Sequence, residues 1–204
     1  MVTKAPIVGV FALQGDFERH AQAWRKAGAE VREVRSRQDF DGLDALSMPG
    51  GESTTMLRLL GVLGLRPALE QAVRTLPVFA TCAGAILLGD GGEHLPAPPL
   101  KVLDATIARN AYGRQVDSFE ADVDCALLGA NATLRGIFIR APRFTRLGKG
   151  VEVLATHDGE PVGVRQGRLV ALAFHPELTD DPRLFQWFLS SVVAPARATL
   201  GAAR

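Results

Sequence analysis

The sequence predicts one three-layer α/β domain. Its mixed central sheet is parallel in the first half, gains antiparallel strands in the second, and is flanked by helices. Three observations carry that prediction. Over about the first 90 residues, apolar runs alternate with stretches of helical periodicity, the mark of βαβ units and a parallel sheet. The later segments read as strands and carry the hairpin dipeptides Asp158-Gly159 and Gln166-Gly167. The 204-residue chain is 47% hydrophobic and 22% charged, enough for one substantial core, and no repeat, low-complexity tract or long linker divides residues 1–204.

The elements follow in order. "APIVGVFAL" (Ala5 to Leu13) is a continuous β-branched run, suited to a strand buried on both faces. Lys4 before it gives a superficial likeness to a signal peptide. Gln14-Gly15-Asp16 ends the run without a small-residue cleavage pattern, so a first core strand is expected. Phe17, Ala21, Trp24 and Ala27 recur at helical spacing before a stop at Gly28, and His20 is expected on the exposed side of that helix. "AEVREV" returns as a strand, and "LDALSMPGG" as another ending in a Pro-Gly-Gly turn. Leu57 to Leu76 reads as helical with a break near Gly61, Gly64 and Pro67. "PVFATC" is the next buried strand and "AGAILLG" begins a helix.

"GDGGEHLPAPP", which holds His94, reads as a loop. Strand-like segments follow in "KVLDATIARN", "RQVDSFEADV", "LRGIFIRAP" and "VEVLATHDGEPVGVRQGRLVALAFHPE". One helix closes the chain from about Asp181 to Val193, with Phe185, Phe188 and Leu189 inward, and residues from about 195 to 204 are expected to form a mobile tail.

Composition narrows the function. Net charge is +1, from 23 Lys+Arg against 22 Asp+Glu, so no nucleic-acid surface is indicated. No apolar segment approaches the ~18 residues that a membrane helix requires. Only two cysteines, Cys82 and Cys125, argue against a disulfide scaffold and for a cytoplasmic protein. The glycines of "MPGGEST" lack the G-K-[ST] ending of a Walker A loop, and no G-x-G-x-x-G fingerprint occurs. Neither a metal nor a cofactor is expected.

Three short stretches can carry chemistry. Cys82 falls where a strand should give way to a helix, with Ala80 before it and Ala83 and Gly84 after. Alone, a cysteine there is most often a buried small hydrophobe. The small neighbours also fit a nucleophile elbow, whose backbone folds back tightly on itself. A helix N-terminus favours the thiolate, and the Ala83 N–H could face an oxyanion. A nucleophilic cysteine needs a base. His157 precedes Asp158-Gly159 and is most simply a hairpin residue, whereas His175 ends an apolar strand and opens "HPE". Proline keeps its predecessor extended, so Glu177 at i+2 should lie beside His175 and orient it. A strand-end histidine with a solvent-facing glutamate fits that spacing equally well. In "MPGGEST", Gly50 and Gly51 allow close backbone approach, and Glu52, Ser53 and Thr54 suit a helix start whose N–H groups could bind an anion. A plain strand-to-helix turn has the same pattern.

Taken in order along the chain, "ALQGDFERH", "PGGEST", "TCAG", "RNAYGRQVDSFE", "FIRAP" and "FHPELT" resemble the class I, triad-type glutamine amidotransferases, and within them the glutaminase subunit of pyridoxal 5′-phosphate synthase. The resemblance spans nearly the whole chain; each motif is weak and the ordered set is specific. It implies a flavodoxin-like fold and hydrolysis of L-glutamine to glutamate and ammonia for vitamin B6 synthesis. Cys82 would form a γ-glutamyl thioester, His175 would shuttle the proton and Glu177 would orient His175. The backbone N–H groups of Gly51 and Ala83 would form the oxyanion hole, and Gly51, Glu52, Ser53, Arg109, Ile139 and Arg140 would hold glutamine. A Gly50-Gly51 peptide can face either way, which allows a resting state with its donor turned aside. Ammonia would pass to a separate (β/α)₈-barrel synthase subunit in a large hetero-oligomer, with Gln14 and Gly15 at the contact. The alternative is a triad glutaminase serving another synthase, as in histidine or aminobenzoate biosynthesis. Tyr112 stands where the family usually has phenylalanine, Ser47 lies in a usually apolar strand, and "GDGGEHLPAPP" is a variant loop.

Overall fold

Apolar runs became strands and amphipathic runs became helices largely where periodicity placed them. The computed structural model describes residues 4–91, 95–109 and 118–202; the readings made on His94 and Tyr112 lie outside them. Strands β1 (Ile7–Phe11), β2 (Glu30–Val34), β3 (Ala45–Met48) and β4 (Val78–Thr81) alternate with helices α1 (Phe17–Ala27), α2 (Ser53–Val62), α3 (Arg66–Thr75) and α4 (Ala83–Leu88). The break between α2 and α3 falls at residues 63–65, where Gly64 takes a φ of 63°. Strands β5 (Ala105–Ala108), β6 (Ser118–Asp124), β7 (Thr133–Ile139), β8 (Arg143–Leu147), β9 (Glu152–His157), β10 (Glu160–Gln166) and β11 (Leu169–Leu172) make up the second half. Strand β8, absent from the sequence reading, pairs with β5 in a small separate sheet.

Among the described residues, the main sheet has nine strands in the order β2-β1-β3-β4-β11-β10-β9-β6-β7. Strands β2, β1, β3, β4 and β11 run parallel, whereas β10, β9, β6 and β7 pair antiparallel beyond them. The parallel part thus has the flavodoxin-like order, with a topological switch point between β1 and β3. Helices α1 and α5 (Arg183–Phe188) pack together, as do α2 and α4. Trp24, Phe79, Phe185 and Phe188 join α1, β4 and α5, with Trp24 edge-on to Phe79 at 5.2 Å and to Phe185 at 4.9 Å. Asp158 and Gly159 both take positive φ, as a two-residue type I′ hairpin requires.

The C-terminus differs from expectation. After α5 the chain continues through one π-helical segment, Leu189–Val193, into α6 (Ala194–Ala202). Arg197 fastens α6, with its Nε 3.1 Å from Asp44 Oδ1 and its Nη1 donating to the Lys4 carbonyl at 3.0 Å. Residues 195–202 are therefore helical, not a tail running past the last helix. Among the described residues, no helix is long and apolar enough to cross a membrane.

Candidate active site

Parallel sheets bind ligands outside the carboxyl ends of their strands, near the switch point. Four segments of this chain meet there: Gln14-Gly15 after β1, Gly50-Gly51 after β3, Cys82 after β4 and His175 after β11. Strands β4 and β11 are hydrogen-bonded neighbours with Thr81 opposite Leu172. That register delivers the cysteine and the histidine to one place from distant parts of the chain.

Cys82 occupies a strained elbow. Its φ of 46° and ψ of −106° lie where L side chains rarely go, and α4 starts at the next residue. Small neighbours are required here: a Cβ on Gly84 would run into the Met48 carbonyl, so α4 can dock against β3 only with glycine at that position. The Ala83 N–H, first in its helix, has no carbonyl of the preceding turn to serve. Cys82 Sγ lies 3.9 Å from the Ile139 carbonyl.

His175 is held by its N–H, which donates to the Ile137 carbonyl at 2.8 Å, and by its ring. Nδ1 donates to Glu177 Oε1 at 2.7 Å. Burial opposes charge on His175, yet its hydrogen bonds to Cys82 and Glu177, with their charges, push its pKa up from 6.5 to about 10. Glu177 is buried, which works against ionisation, but His20 and His175 outweigh burial and hold its carboxyl far below the usual range. The pair meets as the spacing suggested, although by another route: residues Pro176–Leu178 form a 3₁₀ turn, not an extended segment. The turn carries Glu177 inward to a burial of 4% exposure, which excludes a solvent-facing glutamate.

The Gly-Gly turn closes over this group. A Cβ on Gly50 would strike the His175 ring, so glycine is required for the turn to lie against the imidazole. The Gly50 carbonyl faces Gly15, and the Gly51 N–H therefore leaves on the opposite side. The Glu52 N–H donates to Gln14 Oε1 at 2.8 Å, tying the segment after β1 to the turn. Glu52 caps α2: its carboxylate accepts from the N–H groups of Thr54 at 3.1 Å and Thr55 at 2.7 Å. Those two donors are thus occupied, which corrects the expectation that they could serve an outside anion. Arg109 Nη2 donates to Thr54 Oγ1 at 3.1 Å and lies 3.5 Å from Glu52 Oε1.

Gly51, Glu52, Ser53, Arg109, Ile139 and Arg140 line a single cleft together with Cys82 and Ile86. The cleft is narrow, about 50 Å³, against about 500 Å³ for an open hollow near Arg74, Lys101 and Arg168. Volume would select the hollow; the strained thiol and its paired imidazole select the cleft. Among the described residues, no group of three His, Cys, Asp or Glu side chains is placed to hold a metal ion. Cys125 is buried elsewhere, its thiol pushed up to about 11 by burial, and His157 sits on the β9–β10 hairpin near Phe119 and Phe138.

His20 is the residue that sequence reasoning misplaced. It is fully buried, with Nε2 3.1 Å from Glu177 Oε1 and Nδ1 2.9 Å from Ser47 Oγ. The signal was present: His20 falls three residues after Phe17 and four before Trp24, on the apolar stripe. Ser47, out of place as an apolar strand residue, is its partner.

Residues 10–194 match the family model described as the SNO glutamine amidotransferase family. The chain is 53% identical over 186 residues to the pyridoxal 5′-phosphate synthase subunit PdxT of a Thermus thermophilus strain, covering 90% of this chain and 96% of that one. It is 47% identical over 194 residues to the PdxT subunit of Mycolicibacterium vanbaalenii, covering 92% and 98%. A crystal structure described as a glutamine amidotransferase superposes with a TM-score of 0.84 at 48% identity, covering 92% of this chain and 98% of that one. A putative GMP synthase component from Thermoplasma acidophilum matches at a TM-score of 0.71 and 18% identity, covering 98% and 99%, and shares the fold.

Proposed function

Because this chain belongs to the SNO glutamine amidotransferase family, we propose that it hydrolyses L-glutamine and passes the ammonia to a synthase subunit making pyridoxal 5′-phosphate. The observation that carries the reading is the junction of Cys82, His175 and Glu177 at the ends of adjacent strands β4 and β11. The names of the relatives favour this over a synthase of histidine or aminobenzoate biosynthesis.

The geometry supports one sequence of steps. Glutamine lies in the cleft between Glu52, Ser53, Arg109, Ile139 and Arg140, with the arginines available to its α-carboxylate. Cys82 Sγ attacks the side-chain amide carbon while its proton is held as the His175 imidazolium, the form that the raised pKa of His175 favours. The oxyanion is met by the N–H groups of Ala83 and Gly51, each such donor being worth about 10²–10³ in rate. As the C–N bond breaks, His175 returns the proton to the leaving ammonia, and Glu177 balances the imidazolium meanwhile. Water, deprotonated by His175, then cleaves the thioester and releases glutamate. Residues 1–204 act as one cytoplasmic glutaminase domain, and the partner is a (β/α)₈-barrel synthase subunit in a large hetero-oligomer. Gln14 and Gly15 contact the partner and relay docking to the oxyanion donor, a role supported by their closeness to the Gly50-Gly51 turn.

Mixing the protein with purified pyridoxal 5′-phosphate synthase subunit tests this. Glutamate release should rise on mixing, a glutamine-analogue affinity label should modify Cys82, and Cys82→Ala should abolish hydrolysis while added ammonia still yields pyridoxal 5′-phosphate. An unlabelled Cys82 in the active mixture would overturn the nucleophile assignment.

A further inference from the structure

Among the described residues, the side-chain contacts of Glu177 converge on one oxygen. Oε1 accepts from His175 Nδ1 at 2.7 Å, and His20 Nε2 at 3.1 Å and Thr81 Oγ1 at 3.5 Å converge on it. Among the described residues, Oε2 is buried without a partner. A buried carboxylate is costly unless its donors are good, so a carboxylate with one bare oxygen depends heavily on those it has. Of the three donors, His175 must move with the reaction's proton, and the Thr81 bond is long. His20 bears on both remaining partners of Oε1: its Nε2 lies 3.1 Å from that oxygen and is hydrogen-bonded to Thr81 Oγ1.

His20 is itself held from three elements. It projects from α1, its Nδ1 is 2.9 Å from Ser47 Oγ on β3, and its Nε2 is also 3.1 Å from Thr81 Oγ1 on β4. An ionised carboxylate only accepts, so Nε2 carries a hydrogen; it is hydrogen-bonded to Thr81 Oγ1, whose hydroxyl faces Glu177 Oε1, while the ring itself stands 3.1 Å from that oxygen. The Ser47 hydroxyl serves Nδ1 and fixes the ring. The result is one buried line of contacts, Cys82–His175–Glu177–His20–Ser47, reaching from the cleft to the interior between α1 and β3.

We propose that His20, fixed by Ser47, is a positioning residue for the glutaminase reaction: it holds Glu177 in the orientation that aims His175 at Cys82. This rests on the assignment of Cys82, His175 and Glu177 to glutamine hydrolysis. No proton is transferred to or from His20. The proton taken from Cys82 resides on His175 Nε2, while the Nδ1–H stays on Glu177 Oε1 and His20 keeps its own Nε2–H. The effect of His20 is thus on the turnover of bound glutamine and not on its binding, because its polar partners Ser47, Thr81 and Glu177 do not line the cleft.

The test compares steady-state glutamine hydrolysis by the full chain in complex with its synthase subunit for wild type, His20→Gln, His20→Leu and Ser47→Ala. His20→Leu removes the donor and should lower kcat about tenfold or more with KM within twofold. His20→Gln can place an amide N–H near the Nε2 position and should recover about threefold or more of that loss, a rescue a merely space-filling role would not give. Ser47→Ala keeps the fold's volume and should lower kcat about threefold to fivefold at unchanged KM, which carries the test if His20→Leu does not fold. A kcat within about twofold of wild type in folded His20→Leu, or in Ser47→Ala where His20→Leu does not fold, overturns the proposal, as does a loss confined to KM. A wild-type complex that fails to hydrolyse glutamine would instead sink the functional reading itself, so the two failures are distinguishable.

Discussion

Cys82 bears a backbone conformation that glycine tolerates and other residues resist, with φ of 46° and ψ of −106°. Strain of this kind is kept where the surrounding structure over-determines it. Both Cys82→Ala and Cys82→Gly remove the sulfur, but only the second relieves the backbone. Cys82→Gly should therefore be more stable than Cys82→Ala by about 1 kcal/mol, against the usual order of the two residues within a fold. Urea unfolding of the two variants measures the difference, and a more stable alanine variant would refute the strain. The elbow was legible in the sequence through Ala80, Ala83 and Gly84. The burial of His20 was legible too, since it lies on the stripe defined by Phe17 and Trp24, but a polar residue on an apolar stripe finds its partner only in three dimensions.

At the level of elements, helix α2 begins with an unusual cap. Glu52 satisfies the N–H groups of Thr54 and Thr55 with its carboxylate. Partial burial works against its charge, but those bonds and the Thr55 hydroxyl prevail and bring its pKa from 4.5 down to about 2. A depressed carboxyl contributes stability that is present above the unfolded value of 4.5 and is lost as pH falls toward 2. Glu52→Ala should cost about 1 kcal/mol at neutral pH. The difference from wild type should fade between about pH 4.5 and 2, as followed by denaturant midpoints across that range. The side chain is 40% exposed, so raised salt should shrink the effect. Sequence identified the helix start from "GEST" but not which residue caps it, because Glu52, Ser53 and Thr54 all carry side-chain acceptors and backbone geometry picks one.

Across the whole molecule, one aromatic cluster joins α1, β4 and α5 beneath the elbow's strand. Phe185 lies 4.9 Å from Trp24 and 5.1 Å from Phe79 and is 1% exposed. Phe185→Ala should cost about 3–5 kcal/mol. It should leave the kcat of the folded fraction near wild type, since the ring packs on Trp24 and Phe79, neither of which lines the cleft; thermal unfolding and active-site-titrated kinetics separate the two effects. By itself the sequence determined the kinds of element, the hairpin at Asp158-Gly159, and the residue types of a thiol, a base and a carboxylate. These rest on short-range causes: periodicity, turn chemistry and the small neighbours of Cys82. Tertiary structure alone decided that β11 lies between β4 and β10, which sets His175 beside Cys82. It also decided that a 3₁₀ turn buries Glu177, that Ser47 and His20 stand behind it, and that residues Ala194–Ala202 are helical. The reason is physical: backbone ladders pair any two strands with the same hydrogen bonds, and a buried polar group is stable only beside the partner that the completed fold brings to it.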